Sequence, residues 1–461
     1  MNTSSIVDFF VVAIVFSASL TLLLVFSRRV FCNMHRWIQY VLLAFSLFQF
    51  GGGTTGSDSS TVRQVLWGGV FVLSFIRLSY HDGAFRIPAL SIPLEVYALI
   101  GYLCISVIWS PMPGASIKRI AQIAGVLIVG CMVSHETRGD SGMATSFILP
   151  SFIIVAIGVL LAAVAPGIAF DGDHSLRAMT SHKNTWGQFS LLASLIFLWN
   201  ILNGTKYRSL LLWMLALTCA SLFLSRSATG VVTFMVSGTV MIYATLAVKR
   251  SRISNVGIVL ATAAVVILLS GYGIITGESP FSALYEAVFS GTGKHHTLTG
   301  RTYLWNLMLA EAEKHLVFGI GYGGFWNGML GPSASVIQFL NWGPPTQAHN
   351  GYIDVVNEIG VVGWCIFGIV LARHGMRIAA LARAGLGSSA VFHGVLLFTA
   401  LIINYTESSF LRTTHVWWIF LSLSIIEVYH RYSHVKLSLP VRLRVRTDHR
   451  ERSTPLEQGA G

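Results

Sequence analysis

The stretch from Thr299 to Trp364 decides how the rest of the chain is interpreted. It opens with Gly300-Arg301-Thr302-Tyr303-Leu304-Trp305, and its polar, glycine-rich part ends at Ala348-His349-Asn350-Gly351-Tyr352, where a new apolar run begins. Glycine and asparagine favour turns, and asparagine is a preferred first residue of a helix. A long polar segment that leads into an apolar helix predicts a large loop at one membrane surface, and chemistry is expected there.

The composition around this stretch is that of an integral membrane protein. Of the 461 residues, 54% are hydrophobic and 11% are charged, and the mean hydropathy is +0.67. Soluble domains contain about 25% charged residues. Runs long enough to cross a bilayer occur near residues 9–26, 37–52, 64–80, 94–109, 120–134, 146–165, 185–203, 209–225, 230–247, 254–274, 352–372, 388–404 and 415–430. The sequence therefore predicts an all-α polytopic integral membrane protein with about 12–14 transmembrane helices and one large outward (periplasmic) loop.

The net charge of +12 has a topological explanation, because Lys and Arg hold loops on the cytoplasmic side. Most of them lie in one set of alternate loops and in the tail after Arg431, so this side is predicted to be cytoplasmic and no nucleic-acid partner is expected. The predicted domains are a helical membrane domain at 1–430 and a basic, disordered cytoplasmic tail at 431–461. Within the membrane domain, residues 275–351 form the periplasmic loop with short interfacial helices.

The chain offers little for a metal or a nucleotide to bind. All 5 cysteines lie in or beside apolar runs, and the pair His295-His296 has no third ligand at a suitable spacing. The glycines of Phe318–Trp326 follow no strand and open no βαβ unit, which a dinucleotide site needs. No metal and no cofactor are predicted, and the segment is interpreted as a loop whose backbone approaches a ligand.

Three outward basic residues lie close to the ends of predicted spans, Lys183, Arg226 and Arg119, and a fourth, Arg301, lies in the first turn of a predicted interfacial helix in the long loop. One interpretation is that each reaches the phosphates of the outer leaflet. The other is that they bind an anionic ligand at headgroup depth, such as a lipid-linked diphosphate. For Lys183, Arg226 and Arg301 taken together, the ligand is the preferred interpretation.

His349 stands directly before Asn350, a good helix N-cap, and Asp354 is close to the capping-box position. His349 is either a turn residue or a general base kept neutral by the positive end of the following helix. Asp354 and Glu358 share one helical face and are expected to pair with basic residues or with His349. Two later residues at the same predicted surface would complete the cavity: Glu407 and Arg412.

These motifs, in this order, resemble the conserved core of the O-antigen ligase and O-antigen polymerase superfamily, which includes exopolysaccharide repeat-unit polymerases. The residues that carry the resemblance are Ser181-His182-Lys183-Asn184, Ser225-Arg226-Ser227, Gly300–Trp305, Gly319-Ile320-Gly321 and Ala348–Tyr352. The resemblance implies a metal- and nucleotide-independent glycosyltransferase at the outer face of the bacterial inner membrane. Its donor would be a glycan on undecaprenyl diphosphate, and its acceptor a glycan or lipid A core. Membrane lipids and chain-length and export proteins are further partners.

By this resemblance, Arg226 and Arg301 would hold the diphosphate with help from Lys183. His349 would deprotonate the acceptor hydroxyl as it attacks the anomeric carbon. The prediction is a polymerase of exopolysaccharide or O-antigen repeat units, with a ligase onto lipid A core as one alternative. A transporter or flippase is the alternative from another class. It would place ionisable residues near the membrane centre, where the sequence offers only Arg77 and Glu358.

Overall fold

The computed structural model describes residues 38–39, 41–42, 61–81, 84–88, 90–137, 142–204, 207–250, 299–340 and 344–438. Some predicted features lie outside these residues: the spans near 9–26 and 254–274, most of the span near 37–52, the loop before Thr299, the His295-His296 pair and the tail from residue 439 onward.

The described part is built almost entirely from helices. They are α1 (Thr61–Ser79), α2 (Leu94–Ser106), α3 (Pro113–Glu136), α4 (Gly142–Ser146), α5 (Ile148–Val164), α6 (Pro166–Ala169), α7 (Lys183–Leu202), α8 (Arg208–Leu224), α9 (Ala228–Arg250), α10 (Thr299–Glu313), α11 (Ala334–Ile337), α12 (Gly351–Arg383), α13 (Gly387–Thr406) and α14 (Val416–Ser438). A small antiparallel hairpin joins β1 (Tyr80–His81) to β2 (Ala84–Phe85).

Six segments of the described part are long and apolar enough to cross a membrane: α3, Gly142–Val164, α7, α9, α12 and α13. Shorter apolar helices lie at Trp67–Ser79, Leu94–Ser106 and Arg208–Leu224. Each of these helices coincides with a predicted span. An apolar run of about 20 residues is long enough to cross the bilayer core, and a helix satisfies all of its backbone hydrogen bonds there. The predicted all-α, polytopic membrane fold is confirmed. The last helix, α14, continues to Ser438, past residue 430, where the membrane domain was predicted to end.

Helix α7 lies at the centre of the bundle. In its most apolar window 83% of the residues are buried, against 33% for Gly142–Val164. It packs against α8 and α9, and its tryptophans Trp186 and Trp199 are fully enclosed. Small residues permit this close packing, since a Cβ on Gly187 would lie 2.5 Å from the Cβ of Ser227. The first turn of α7 is therefore held firmly against the turn that follows α8.

Ion pairs and hydrogen bonds between helix ends show that the helix ends form two groups, one at each end of the bundle. At one end Arg77 pairs with Glu136 at 2.6 Å, and the Lys249 ammonium donates to the Leu202 carbonyl. We call this the inner end, because the charge distribution predicts that it faces the cytoplasm. The opposite end is called the outer end, and it holds the loops at 107–112, 165–182, 225–227, 344–350 and 407–415. Arg77 thus lies in the last turn of α1 and not at the membrane centre.

Helix α12 is broken near its outer end. Gly360 has φ 64° and ψ −174°, so the helix stops at Ile359 and starts again. The segment 316–322 lies in the break: the amides of Ile320 and Gly321 donate to the Asn357 and Glu358 carbonyls at 3.0 Å, and the amide of Val361 donates to the Leu316 carbonyl at 2.8 Å. Backbone groups freed by the break are therefore satisfied within the protein, as a membrane environment requires.

Candidate active site at the outer end

A buried carboxylate, Glu407, is the centre of the polar cluster at the outer end. It directly follows α13, and only 4% of its side chain is exposed. Its Oε1 accepts from Asn184 at 2.8 Å and from Arg301 at 3.2 Å. Its Oε2 accepts from Gln347 at 3.2 Å and lies 3.0 Å from His349 Nδ1. Three chain segments, which contain Asn184, Arg301 and the pair Gln347 and His349, thus converge on one carboxylate.

The charge of Glu407 is maintained by its neighbours. Burial opposes ionisation, but the charge and hydrogen bond of His349 and the charge of Arg301 outweigh it, and they lower the pKa of Glu407 to about 2. An ionised carboxylate only accepts hydrogen bonds, so the neutral ring of His349 carries its proton on Nδ1, toward Glu407, although Gln347 Nε2 also lies 3.1 Å from that nitrogen. The lone pair of Nε2 is then free, and the imidazole has the orientation and tautomer of a histidine base supported by a carboxylate.

The backbone at His349 is strained. Its φ is +51°, a left-handed conformation that is rare for residues other than glycine. The next residue, Asn350, caps α12: its Oδ1 accepts from the amides of Tyr352 and Ile353 at 3.0 and 3.3 Å. The amide of Asn350 in turn donates to Ser408 Oγ at 3.1 Å. The cap and its link to Ser408 hold the strained residue against the segment that carries Glu407.

Lys183 and Arg226 both bind Asp173, in the turn at Asp171–Ser175, but they bind different groups of it. Lys183 Nζ lies 2.7 Å from Asp173 Oδ2, and Arg226 Nη1 donates to the Asp173 carbonyl at 2.8 Å. The hydrogen bond from Lys183 is the main reason why the pKa of Asp173 is strongly lowered. Arg226 has φ +49°, so it is a second strained residue with a cationic side chain. One turn therefore positions both basic residues.

The two clusters are connected through the ends of α7 and α13. Asn184, which binds Glu407, directly follows Lys183, and its amide donates to His182 Nδ1 at 3.2 Å. Burial lowers the pKa of His182, so the ring is neutral and can accept this bond. The hydroxyls of Thr229 and Thr406 lie 3.1 Å apart, which places the turn of Arg226 beside the end of α13. Lys183, Arg226, Arg301 and His349 are thus gathered at one end of the bundle.

The carboxylates of α12 have other partners. Asp354 Oδ1 accepts from Trp326 Nε1 at 2.7 Å and from the Ala348 amide at 3.2 Å, so it holds the loop and contacts neither a cation nor His349 in the described part. Glu358 pairs with Arg119 at 3.1 Å, which is the predicted pairing with a basic residue. It also accepts a hydrogen bond from the Gly323 amide at 3.1 Å. Asp354 and Glu358 position the segment before His349.

The glycine-rich segment approaches the protein's own backbone. A Cβ on Gly319 would lie 2.5 Å from the Ile359 amide nitrogen, and one on Gly323 would lie 2.7 Å from Arg119 Cδ. The backbone of this segment does need glycine for a close approach, but what it approaches is the broken part of α12 and the side chain of Arg119. The expectation of a ligand at this place has no support from these contacts.

Sequence reasoning missed Gln347 and Asp173 as parts of the site. Gln347 bridges Glu407 to Arg412, whose Nη1 donates to Gln347 Oε1 at 3.0 Å. Neither residue lies at a span end with an unexpected charge, which was the signal that identified the cations. Asn184 was visible only as part of the motif around Lys183. Its bond to Glu407 joins residues far apart in sequence.

The fold and the site define a class: a multi-pass helical membrane protein with a carboxylate-bound histidine and several cations at one end. A family model described as O-Antigen ligase matches residues 213–368, a range that includes Arg226, Arg301 and His349. The chain is 24% identical over 344 residues to the exopolysaccharide production protein ExoQ of Rhizobium meliloti (strain 1021), covering 71% of this chain and 73% of that protein. These matches confirm the predicted resemblance to the O-antigen ligase and polymerase superfamily.

Proposed function

We propose that this protein transfers a glycan from an undecaprenyl-diphosphate-linked donor to an acceptor hydroxyl, and that it polymerises exopolysaccharide or O-antigen repeat units. The observation that carries the proposal is the contact of His349 Nδ1 with Glu407 Oε2 at 3.0 Å, beside the Arg301 guanidinium on Oε1 of the same carboxylate. A base and a cation held by one buried group suit a reaction in which a hydroxyl attacks and a phosphate leaves.

The base acts on the acceptor. His349 Nε2 takes the proton of the acceptor hydroxyl while the hydroxyl oxygen bonds to the anomeric carbon of the donor. Glu407 keeps Nδ1 protonated and stabilises the imidazolium that forms, since an ionised carboxylate beside a cation is favourable. His349 is 22% exposed, so the ring can be reached from outside the protein while its partner stays buried.

The cations act on the leaving group. As the bond from the anomeric carbon to the diphosphate oxygen breaks, the electron pair stays with the diphosphate, and Arg226 and Arg301 bind the charge that develops. Lys183 assists from the same side. In the described part Arg301 and Lys183 each pair with a carboxylate, whereas Arg226 donates to a carbonyl oxygen. Arg226 therefore has the most charge available for the donor.

The similarity to an exopolysaccharide production protein supports polymerisation over transfer to lipid A core. We place the protein in the bacterial inner membrane with the outer end facing the periplasm, because the loops and the tail that the sequence assigns to the inner side together carry most of the Lys and Arg residues of the chain. Cysteine substitutions at Lys314 and His434 test this orientation with a membrane-impermeant maleimide. Labelling of the Lys314 position alone in intact spheroplasts is expected, and labelling of the His434 position alone would reverse the topology.

The decisive experiment uses purified protein in lipid nanodiscs with lipid-linked repeat units, with lipid A core added or omitted. Chain growth without core is expected. Transfer onto core only would make the protein a ligase. His349→Ala and Arg226→Ala should both lose transfer, while Lys314→Ala should keep it, because Lys314 is an exposed cation of the same end that pairs only with Glu311 in the described part. Full activity of His349→Ala and Arg226→Ala would refute the site.

A further inference from the structure

The cations of the outer end divide into two groups by their partners. Most form an ion pair in the described part: Arg119 with Glu358, Arg177 with Asp171, Lys183 with Asp173, Arg301 with Glu407 and Lys314 with Glu311. Arg226 and Arg412 differ, because within the described residues they donate to carbonyl and amide oxygens and to no carboxylate. A guanidinium whose charge is not neutralised can bind an anion without losing an existing ion pair. Arg226 already has a proposed role at the donor, and Arg412 has none.

The position of Arg412 is built by the residues around it. Asn404 Oδ1 accepts from the amides of Ser409 and Phe410 at 2.8 and 2.9 Å, which shapes the segment after Glu407. Leu411 has φ +56°, and its carbonyl accepts from the buried Tyr322 hydroxyl at 2.6 Å. A strained backbone held by a buried hydroxyl places the guanidinium on one side of the site.

Arg412 lies on the His349 side of Glu407. Its Nη1 donates to Gln347 Oε1 at 3.0 Å, and Gln347 Nε2 donates to Glu407 Oε2, the oxygen that also contacts His349. Arg301 and Asn184 bind the other oxygen, Oε1. The two oxygens of a carboxylate point in different directions, so Arg301 and Gln347, which binds Arg412, approach Glu407 from different sides. Because His349 deprotonates the acceptor in the proposed reaction, a substrate group bound beside His349 on the Oε2 side would belong to the acceptor.

We infer that Arg412 binds an anionic group of the acceptor glycan, a carboxylate or a phosphate, and that this contact sets which acceptor hydroxyl reaches His349. The inference rests on the proposed function. The guanidinium has more N–H groups than its two bonds to Gln347 Oε1 and the Thr346 carbonyl use, and it is partly exposed. Paired N–H groups in one plane match the two oxygens of a carboxylate or of a phosphate.

Equilibrium binding tests the inference without requiring turnover. The probes are repeat-unit oligosaccharides released from the polysaccharide whose synthesis depends on this protein, used intact, after reduction of their carboxyl groups, and after removal of their phosphates. Calorimetry on the full chain in nanodiscs should show that one of the two treatments weakens binding about tenfold or more, and the treatment that does so identifies the anion. Equal affinity of all forms, or an oligosaccharide without acidic groups, would overturn the inference.

Variants of Arg412 distinguish two roles of this residue, which are binding of an anion and orientation of Gln347. Arg412→Gln should bind intact and neutralised oligosaccharides equally, whereas wild type and Lys314→Gln should keep the preference. If Arg412 only orients Gln347, Arg412→Gln lowers kcat and retains the preference for the acidic form, which contradicts the inference. Arg412→Lys keeps the charge without the paired N–H groups, so it should retain part of the preference, and it decides the question if Arg412→Gln does not fold. Failure of wild type to transfer any glycan contradicts the proposed function alone, since binding is measured separately.

Discussion

The inner and outer ends of the bundle both contain carboxylates bound by arginine, but they are built differently. At the inner end Glu427 pairs with Arg431 at 2.6 Å within one helix, and Glu95 of α2 pairs with Arg377 of α12. These residues lie on regular helices. At the outer end Glu407 follows the last turn of α13 and is bound by residues from separate segments.

Backbone strain follows the same division. The residues other than glycine that have positive φ in the described part are all in outer-end loops: His174, Ala178, Arg226, His349 and Leu411. Such conformations cost on the order of 1–3 kcal/mol each and persist only where the surroundings enforce them. Ion pairs at the inner end need no such strain to form. We infer from this difference that the outer cluster is arranged for chemistry and the inner pairs for stability, and this inference can be tested at both ends.

The largest effect is expected at His349. His349→Ala removes the proposed base and should lower kcat by about 10²–10⁴-fold, the usual contribution of a general base. The matched control is His434→Ala, because His434 is an exposed histidine near the inner end that contacts His430. Transfer from a radiolabelled lipid-linked donor measures both variants. A similar loss in the two variants would remove the distinction between the ends.

The next largest effect is expected for Glu407→Gln, which keeps the shape and removes the charge. Weaker support of the imidazolium should lower kcat by about 10–100-fold, less than the loss of the base itself, which contributes about 10²–10⁴-fold. A pH series adds a second measurement. The folded pKa of about 2 lies below the usual value, so the stability that ionised Glu407 contributes is present above about pH 4.3 and is lost as the pH falls toward 2.

Glu407→Gln should therefore lower the melting temperature more at pH 6 than at pH 3. The measurement is thermal unfolding of both proteins in the same detergent. A difference in melting temperature that is constant across this range would mean that the carboxylate is not held ionised by His349 and Arg301.

The sequence predicted more of the fold than of the candidate site. Helix positions followed the apolar runs, because the bilayer constrains each span separately. The break in α12 was missed because Gly360 in an apolar run predicts nothing alone, and its partner segment 316–322 is known only from the fold. In the site, His349, Lys183 and Arg226 stood out at span ends, and Arg301 stood out in the first turn of a predicted interfacial helix. Gln347 and Asp173 did not, because their roles depend on segments that meet only after folding.

The next prediction concerns stability and not activity, at the break in α12 that supports the outer end. Gly360→Ala puts a Cβ too close to the Gly319 amide nitrogen at φ 64°, so backbone must shift. Destabilisation of at least about 1–3 kcal/mol should follow, measured as an earlier thermal transition. Gly368→Ala is the control in the same helix, because nothing lies within 4 Å of its Cβ, and it should be neutral or slightly stabilising. Equal melting of the two variants would mean that the break is not needed.

The smallest effect on activity is expected at the inner end. Glu427→Gln with Arg431→Met removes both charges of a buried pair, and the amide oxygen of the new side chain would still accept from the Met143 amide, which now lies 3.3 Å from Glu427 Oε1. Replacing both partners of a buried pair is often nearly neutral, whereas Arg431→Met alone leaves a buried charge and should destabilise by about 3–5 kcal/mol. The double variant should keep kcat near that of wild type, measured in the same transfer assay. A loss of transfer in a double variant that melts like wild type would show that the inner pair takes part in function, and the contrast between the two ends would then fail.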